Sequence, residues 1–207
     1  RIGSELNPRQ ALLGADLSGF DLTGVDLNGF DLTKANFTGA NLTQDSFVDA
    51  TITEALFIRA SLDQTDFTGV SGQRANFDSS RGNQPLFVMA DLNAARFEHA
   101  FFERPNFEQA QLVGILGERA TFRFGRFTRA NLDQAQLRFA TLPGSRFEWA
   151  TLRGARLVLA DLRLAVMDRT VATFASFEAA AMNFVTLRGA DLRGADFSSS
   201  DLKDADL

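Results

Sequence analysis

A large apolar side chain recurs at every fifth residue of this chain from Leu12 to Leu207, without a slip of register. Of the 40 positions in that frame, 36 are Leu, Phe, Ile or Met, and the exceptions are Gly72, Gly82, Gly117 and Ala172. Two residues earlier in each unit, 24 of 40 positions are Ala, and small residues such as Thr65, Ser145, Thr170 and Ser200 fill several of the others. A helix would space its apolar residues by three and four, and a strand by two without interruption. Neither fits a spacing of two, then three. The step of two is a strand step, which turns Ala15 and Leu17 to one side and Asp16 to the other. The step of three spends its extra residue on a corner, where Gly stands eleven times. A chain that turns once per unit while keeping the same side chains inward must wind around an axis and stack coil on coil, as solenoids do.

The units ADLSG (Ala15–Gly19), ANFTG (Ala35–Gly39), ANLTQ (Ala40–Gln44) and ADLRG (Ala190–Gly194) resemble the pentapeptide-repeat family, and the likeness runs over about residues 10–207. That resemblance implies an all-β fold, a right-handed quadrilateral parallel β-helix with four units per coil and about ten coils of twenty residues. Large residues collected at intervals of twenty agree with it. One column reads Leu27, Phe47, Phe67, Phe87, Phe107, Phe127, Phe147, and its diagonal opposite reads Leu17, Phe37, Phe57, Phe77, Phe97. The other two columns are mostly Leu. Pro85 and Pro105 stand one such coil apart. At the inter-strand spacing of about 4.8 Å, ten coils make a rod of roughly 48 Å.

An unbroken frame leaves no domain boundary, so residues 12–207 read as one domain preceded by an N-terminal cap over residues 1–11. Phe20 and Phe30, which replace the small residue in the first coil, belong to the same capping. Gly72 and Gly82 remove two inward side chains in the most polar stretch of the chain, which predicts a bulge or small loop at 70–84; Gly117 is a weaker case. Asp45 occupies an inward position, where an unpaired carboxylate is costly to bury, and is expected to distort toward solvent.

With no Cys, one His and no Tyr, the chain offers neither disulfides nor thiolate chemistry. His99 sits alone at a corner, no residues cluster as metal ligands, and a filled rod has no concave pocket for convergent catalytic groups. The reading is a protein that is not an enzyme and takes no cofactor or metal. Asp and Arg interrupt every apolar stretch, so no membrane span is expected. No leader is visible, yet the chain opens at Arg1; a cytoplasmic location is preferred, with a processed secreted or lumenal form left open.

Net charge is −5, unevenly placed: residues 1–100 hold 7 basic and 13 acidic side chains, residues 101–207 hold 14 and 13. Within 119–169 ten Arg face four acids. The same stretch places large apolar residues at the usually polar corner. Phe124, Leu164 and Phe184 fall on one side of the rod and Phe139 and Leu159 on the adjacent one, and Trp149 is a further apolar corner residue of the same stretch. Together with Arg123, Arg126, Arg146 and Arg156 they form the candidate partner surface, since exposed aromatics among Arg are the composition of protein interfaces. Asp16, Asp21, Asp26 and Asp31 form a candidate acidic stripe imitating a nucleic-acid backbone, against the plainer reading that Asp at this position satisfies backbone donors at the corner.

Two functions follow. The first is a non-enzymatic protein-binding or structural scaffold working through outward surfaces of a rigid rod, with an unnamed protein partner and an end-to-end homodimer through the C-terminal coil as a further option. The second is implied by the resemblance: a DNA mimic that binds DNA gyrase or another type II topoisomerase and protects it from inhibitors such as quinolones. Duplex DNA carries one charge per about 1.7 Å, so a matching rod would need on the order of 28 negative charges. The net of −5 weakens that alternative, and no direct nucleic-acid binding is expected.

Overall fold

A backbone device repeats at every corner. In the computed structural model, which describes residues 12–207, every fifth residue from 14 to 204 has a positive φ between 53° and 74°, glycine or not. At nearly all of these corners the N–H of the inward small residue donates to the carbonyl of the large residue three positions earlier, as Ala15 does to Leu12 at 3.0 Å. One positive φ, at the third residue of such a turn, is the type II pattern. This turn absorbs the fifth residue of each unit and is the physical origin of the two-then-three spacing. Among the described residues the bond is missing only at Pro85 and Pro105, whose ring nitrogens carry no hydrogen. The chain stays extended just before them. There the strands β1 (Arg81–Asn83) and β2 (Phe101–Glu103) form, and with β3 (Thr121–Arg123) they make a parallel sheet in the order β1-β2-β3.

Elsewhere neighbouring coils pair through single parallel bridges, always between residues twenty apart, from Asp16 with Asn36 to Thr186 with Asp206. The four-unit coil of a right-handed quadrilateral β-helix is thereby realised. We number its faces in chain order by the inward residue of the first coil: Leu12 on face one, Leu17 on face two, Leu22 on face three and Leu27 on face four. The cap expected over residues 1–11 lies outside the described residues. Phe20 is exposed, whereas Phe30 packs against the core.

The interior is filled with buried side chains. Faces two and four send in two Phe columns whose rings stack along the axis at 4.7–5.0 Å and meet edge-on across it, as Phe37 meets Phe47 at 5.6 Å and 83°. Ring spacing along each column follows the backbone spacing of the coils.

The bulge expected at 70–84 does not form. Ser71 bridges Asp91, Asn76 bridges Arg96 and Arg81 pairs with Phe101, all in register. The space of the missing side chains is taken up instead by atoms of the neighbouring coils. A Cβ on Gly72 would stand 2.8 Å from both Ile52 and Leu92 side chains, and one on Gly82 would stand 2.7 Å from the Leu62 carbonyl oxygen. Beside Gly117, Phe122 reaches Phe97 at 5.8 Å and Phe107 at 5.6 Å. Because the obstacle at Gly82 is backbone, Gly82→Ala is expected to destabilise by about 1–3 kcal/mol. Urea unfolding with an unchanged midpoint would refute that close approach.

Asp45 also departs from expectation: its carboxylate is not displaced toward solvent but lies inside, 1% exposed. The Val25 N–H donates to Oδ1 at 2.9 Å, which holds the side chain inward, while Oδ2 has no hydrogen-bond partner. Desolvation pushes this carboxyl from an ordinary 3.8 up to about 6. Thr65 and Ser145, in the same inward column, satisfy their hydroxyls by donating to Leu42 and Phe122 carbonyls at 2.7 and 2.9 Å.

Candidate functional site

With the interior closed, only outward positions are free to act, and the backbone decides which of them stand together. Face three runs between two corners. The corner before it carries Arg119, Phe139 and Leu159; the corner after it carries Arg104, Phe124, Leu164 and Phe184. Phe101 points outward from face three itself, in β2. The two apolar groups read from the sequence as lying on adjacent sides therefore border one face. Leaving aside the first and last coils, the exposed large apolar residues are Met89, Phe101, Phe124, Trp149, Leu159, Leu164, Phe174 and Phe184. Five of these, Phe101, Phe124, Leu159, Leu164 and Phe184, stand on or beside face three. Between the ridges the outward floor is mixed: Thr121 and Arg123, Thr141 and Pro143, the ion pair Asp161–Arg163 at 2.7 Å, and Ala181 and Asn183.

Each apolar corner residue occupies a left-handed backbone conformation, with φ of 53° at Phe124, 59° at Leu159, 61° at Leu164 and 60° at Phe184. An L side chain there costs about 1 kcal/mol or more relative to glycine. The Phe124 ring leans over the next coil, where a Cβ on Gly144 would stand 2.7 Å from it, yet the residue remains 51% exposed; Leu164 is 59% exposed. These side chains stay about half in water at corners where glycine would adopt the backbone conformation at lower cost.

The remaining members of the predicted surface separate. Phe139 is half-buried rather than exposed, because the Arg119 and Arg138 guanidinium groups lie over its ring at 5.3 and 5.6 Å. Trp149 belongs to the corner after face four, with Arg169 stacked on it at 4.6 Å. Arg126 and Arg146 pair side by side on face four, where Arg126 bonds Glu108 at 2.7 Å and Arg146 bonds Glu148. They line shallow depressions walled by Phe124 on one side and Trp149 on the other. Arg156 lies on face two, bridging Gln136 and Ser176, away from the rest. Arg123 is on face three, in β3. Face three carries in addition Phe101, which sequence reading left out. Its signal was the doubled Phe of Phe101–Phe102, an apolar residue where the unit usually has Asp or Asn.

Asp16, Asp21, Asp26 and Asp31 do not form a stripe. They stand one per face around the first coil, and their partners in the next coil are Asn36, Asn41, Ser46 and Thr51, all uncharged. Each accepts a hydrogen bond from the N–H two residues on, at 3.1, 3.2, 3.0 and 3.0 Å. The Ser18 and Thr23 hydroxyls hold Asp16 and Asp21 below the ordinary carboxylate range. This is corner chemistry, repeated by Asp161, whose carboxylate is held down chiefly by its bidentate contact with Arg163 at 2.8 and 2.7 Å.

A family model for pentapeptide repeats matches the chain in eight copies, over residues 12–44, 46–81, 130–169 and 173–207. The match breaks at Asp45 and lapses through the coils that hold Gly82, Pro85, Pro105 and Gly117, although the coil geometry continues through all of them. No curated protein matches the sequence. Among solved structures, the chain is similar to HetL, a pentapeptide repeat protein involved in heterocyst differentiation regulation from the cyanobacterium Nostoc sp. strain PCC 7120. Identity is 24% over 95% of this chain and 91% of that one, with a TM-score of 0.71. It is similar also to a trypsin-treated variant of QnrB1, a plasmid-mediated fluoroquinolone resistance protein, at 18% identity over 91% and 89% of the two chains and a TM-score of 0.61. At such identities the likeness is one of fold. The repeat frame, the coil geometry and the family match agree, and the chain belongs to the pentapeptide repeat family.

Proposed function

We propose that this chain is a non-enzymatic protein-binding scaffold and that face three, from the coil of Phe101 to the coil of Phe184, is its binding surface. The observation that carries the reading is the gathering of five exposed large apolar side chains on one sheet face or at the corners that border it, four of them at left-handed corners that glycine would occupy at lower energy. A cluster of exposed large apolar side chains is the signature of a surface kept for contact. The DNA-mimic alternative rests on fold likeness to QnrB1, and the ring arrangement of the first-coil Asp residues gives it no charged column.

Leu159→Gly, Leu164→Gly and Phe184→Gly in combination test this reading. Because each change relieves a left-handed residue, stability should hold or rise by about 1 kcal/mol per site. Proximity labelling in the native cell should lose the set of proteins labelled by the wild type, while outward changes on face one leave it intact. An identical labelled set for the face-three variant would end the proposal.

A further inference from the structure

Resting on the reading of face three as the docking surface, we infer that its occupant is an amphipathic helix of a partner protein, apolar along one side and acidic at one end. The dimensions select a helix. One face spans three to four extended residues, about 10–12 Å, which is the width of a helix with its side chains. The apolar ridges on the two corners then rise on either side of it, as in a helix laid in a groove. From the Phe101 coil to the Phe184 coil is four coil spacings, about 19 Å, or about 13 helical residues.

The charges select its polarity. Arg104, Arg119 and Arg123 surround the upper end of the face, and none makes a salt bridge among the described residues. By contrast, Arg163, at the lower end, is neutralised by Asp161. Arg119 lies on the Phe139 ring, whereas Arg104 and Arg123 have no salt-bridge partner among the described residues and stand together at one end, and the apolar ridges of Leu159, Leu164 and Phe184 extend beyond them. An acidic helix terminus over Arg104 and Arg123 supplies the missing counter-charges. Single-stranded nucleic acid would find rings to stack on at Phe101, Phe124 and Phe184 but fits less well, because its phosphates would run the whole face, past the neutral Asp161–Arg163 pair and beyond the cations.

The test is a selection from a displayed library of single helices of about 16 residues, a length set by the span above. Enriched helices should carry apolar residues at i, i+4 and i+7 and an acidic cluster at one end. A synthetic copy of the leading sequence should bind about tenfold more tightly than its Lys-for-Glu twin, and Arg104→Glu with Arg123→Glu should reverse that order. Enriched helices without acidic bias that still depend on Leu164 and Phe184 would overturn the acidic assignment while leaving face three as the docking surface. Enrichment indifferent to Leu164→Gly and Phe184→Gly, or absent altogether, would overturn both. Tighter binding of a single-stranded oligonucleotide than of any selected helix would likewise overturn the assignment to a protein helix.

Discussion

Phe87→Ala is expected to remove about 3–5 kcal/mol of stability, the largest effect of any single change considered. Phe87 is fully buried and its ring stacks on Phe67 at 5.0 Å and Phe107 at 4.7 Å, with edge contacts to Phe77 at 5.5 Å and Phe97 at 6.1 Å. Removing it interrupts the axial stack and both neighbouring edge contacts at once. In a solenoid each coil is held only by the coils above and below, so a weak interface uncouples the two halves. Denaturant unfolding of the variant should show a lowered midpoint and a broadened or two-step transition, with hydrogen exchange faster in the coils flanking residue 87. Phe197→Ala is the comparison: Phe197 is only partly buried and its ring stacks on Phe177 alone. Equal losses for the two variants would show that axial stacking is not the source of the stability.

The second large effect is proton-linked. Burial raises the Asp45 carboxyl from 3.8 to about 6, against the partly compensating N–H groups of Val25 and Gly24 and with a small addition from the Asp21 charge. At 1.36 kcal/mol per pH unit this corresponds to about 3 kcal/mol. Since the folded state holds the proton more tightly than the unfolded chain, it binds the extra proton between about pH 4 and pH 6. The Asp45 contribution is therefore favourable below that window and is lost as pH rises through about 6. Asp16, Asp21 and Asp161, held below the ordinary range, act in the opposite sense, and they cancel when wild type and variant are compared.

Asp45→Thr is expected to raise stability near neutral pH by about 3 kcal/mol and to flatten the difference between pH 4 and pH 7. Thr65 and Ser145 show how the hydroxyl would be satisfied, by donation to the carbonyl 23 residues earlier, which for position 45 is that of Leu22. Urea midpoints across the pH range decide the matter. A variant whose pH profile parallels the wild type would place the titration elsewhere.

Most of the architecture could be read from the chain because a fixed interior imposes a fixed period. Leu and Phe columns at intervals of twenty, the corner Gly residues and the pair Pro85 and Pro105 each state a local requirement of the coil, and each was met. Failures came where neighbouring coils adjust to one another. The glycines at 72 and 82 suggest a loop when taken alone, but the packing from Ile52, Leu92 and Leu62 closes over them. Asp45 looks intolerable inside until the Val25 N–H twenty residues earlier is seen to hold it.

The candidate site divides in the same way. The residue types that mark an exposed surface, large apolar side chains at corners among Arg, were visible in the sequence at Phe124, Leu159, Leu164 and Phe184. Their convergence on face three was not, because residues on successive corners flank a common face only once the coil has closed. The acidic residues show the converse: Asp16 to Asp31 are close in sequence yet face four directions, since consecutive units turn through successive sides of the rod. Five-residue periodicity thus dictated by itself the kind of fold and the division between inside and outside, through the alternation of inward and outward positions along an extended backbone. Which outward residues share a face, which Arg are free of acids and how a buried carboxylate survives were decided by contacts between coils, twenty residues apart, that no local pattern encodes.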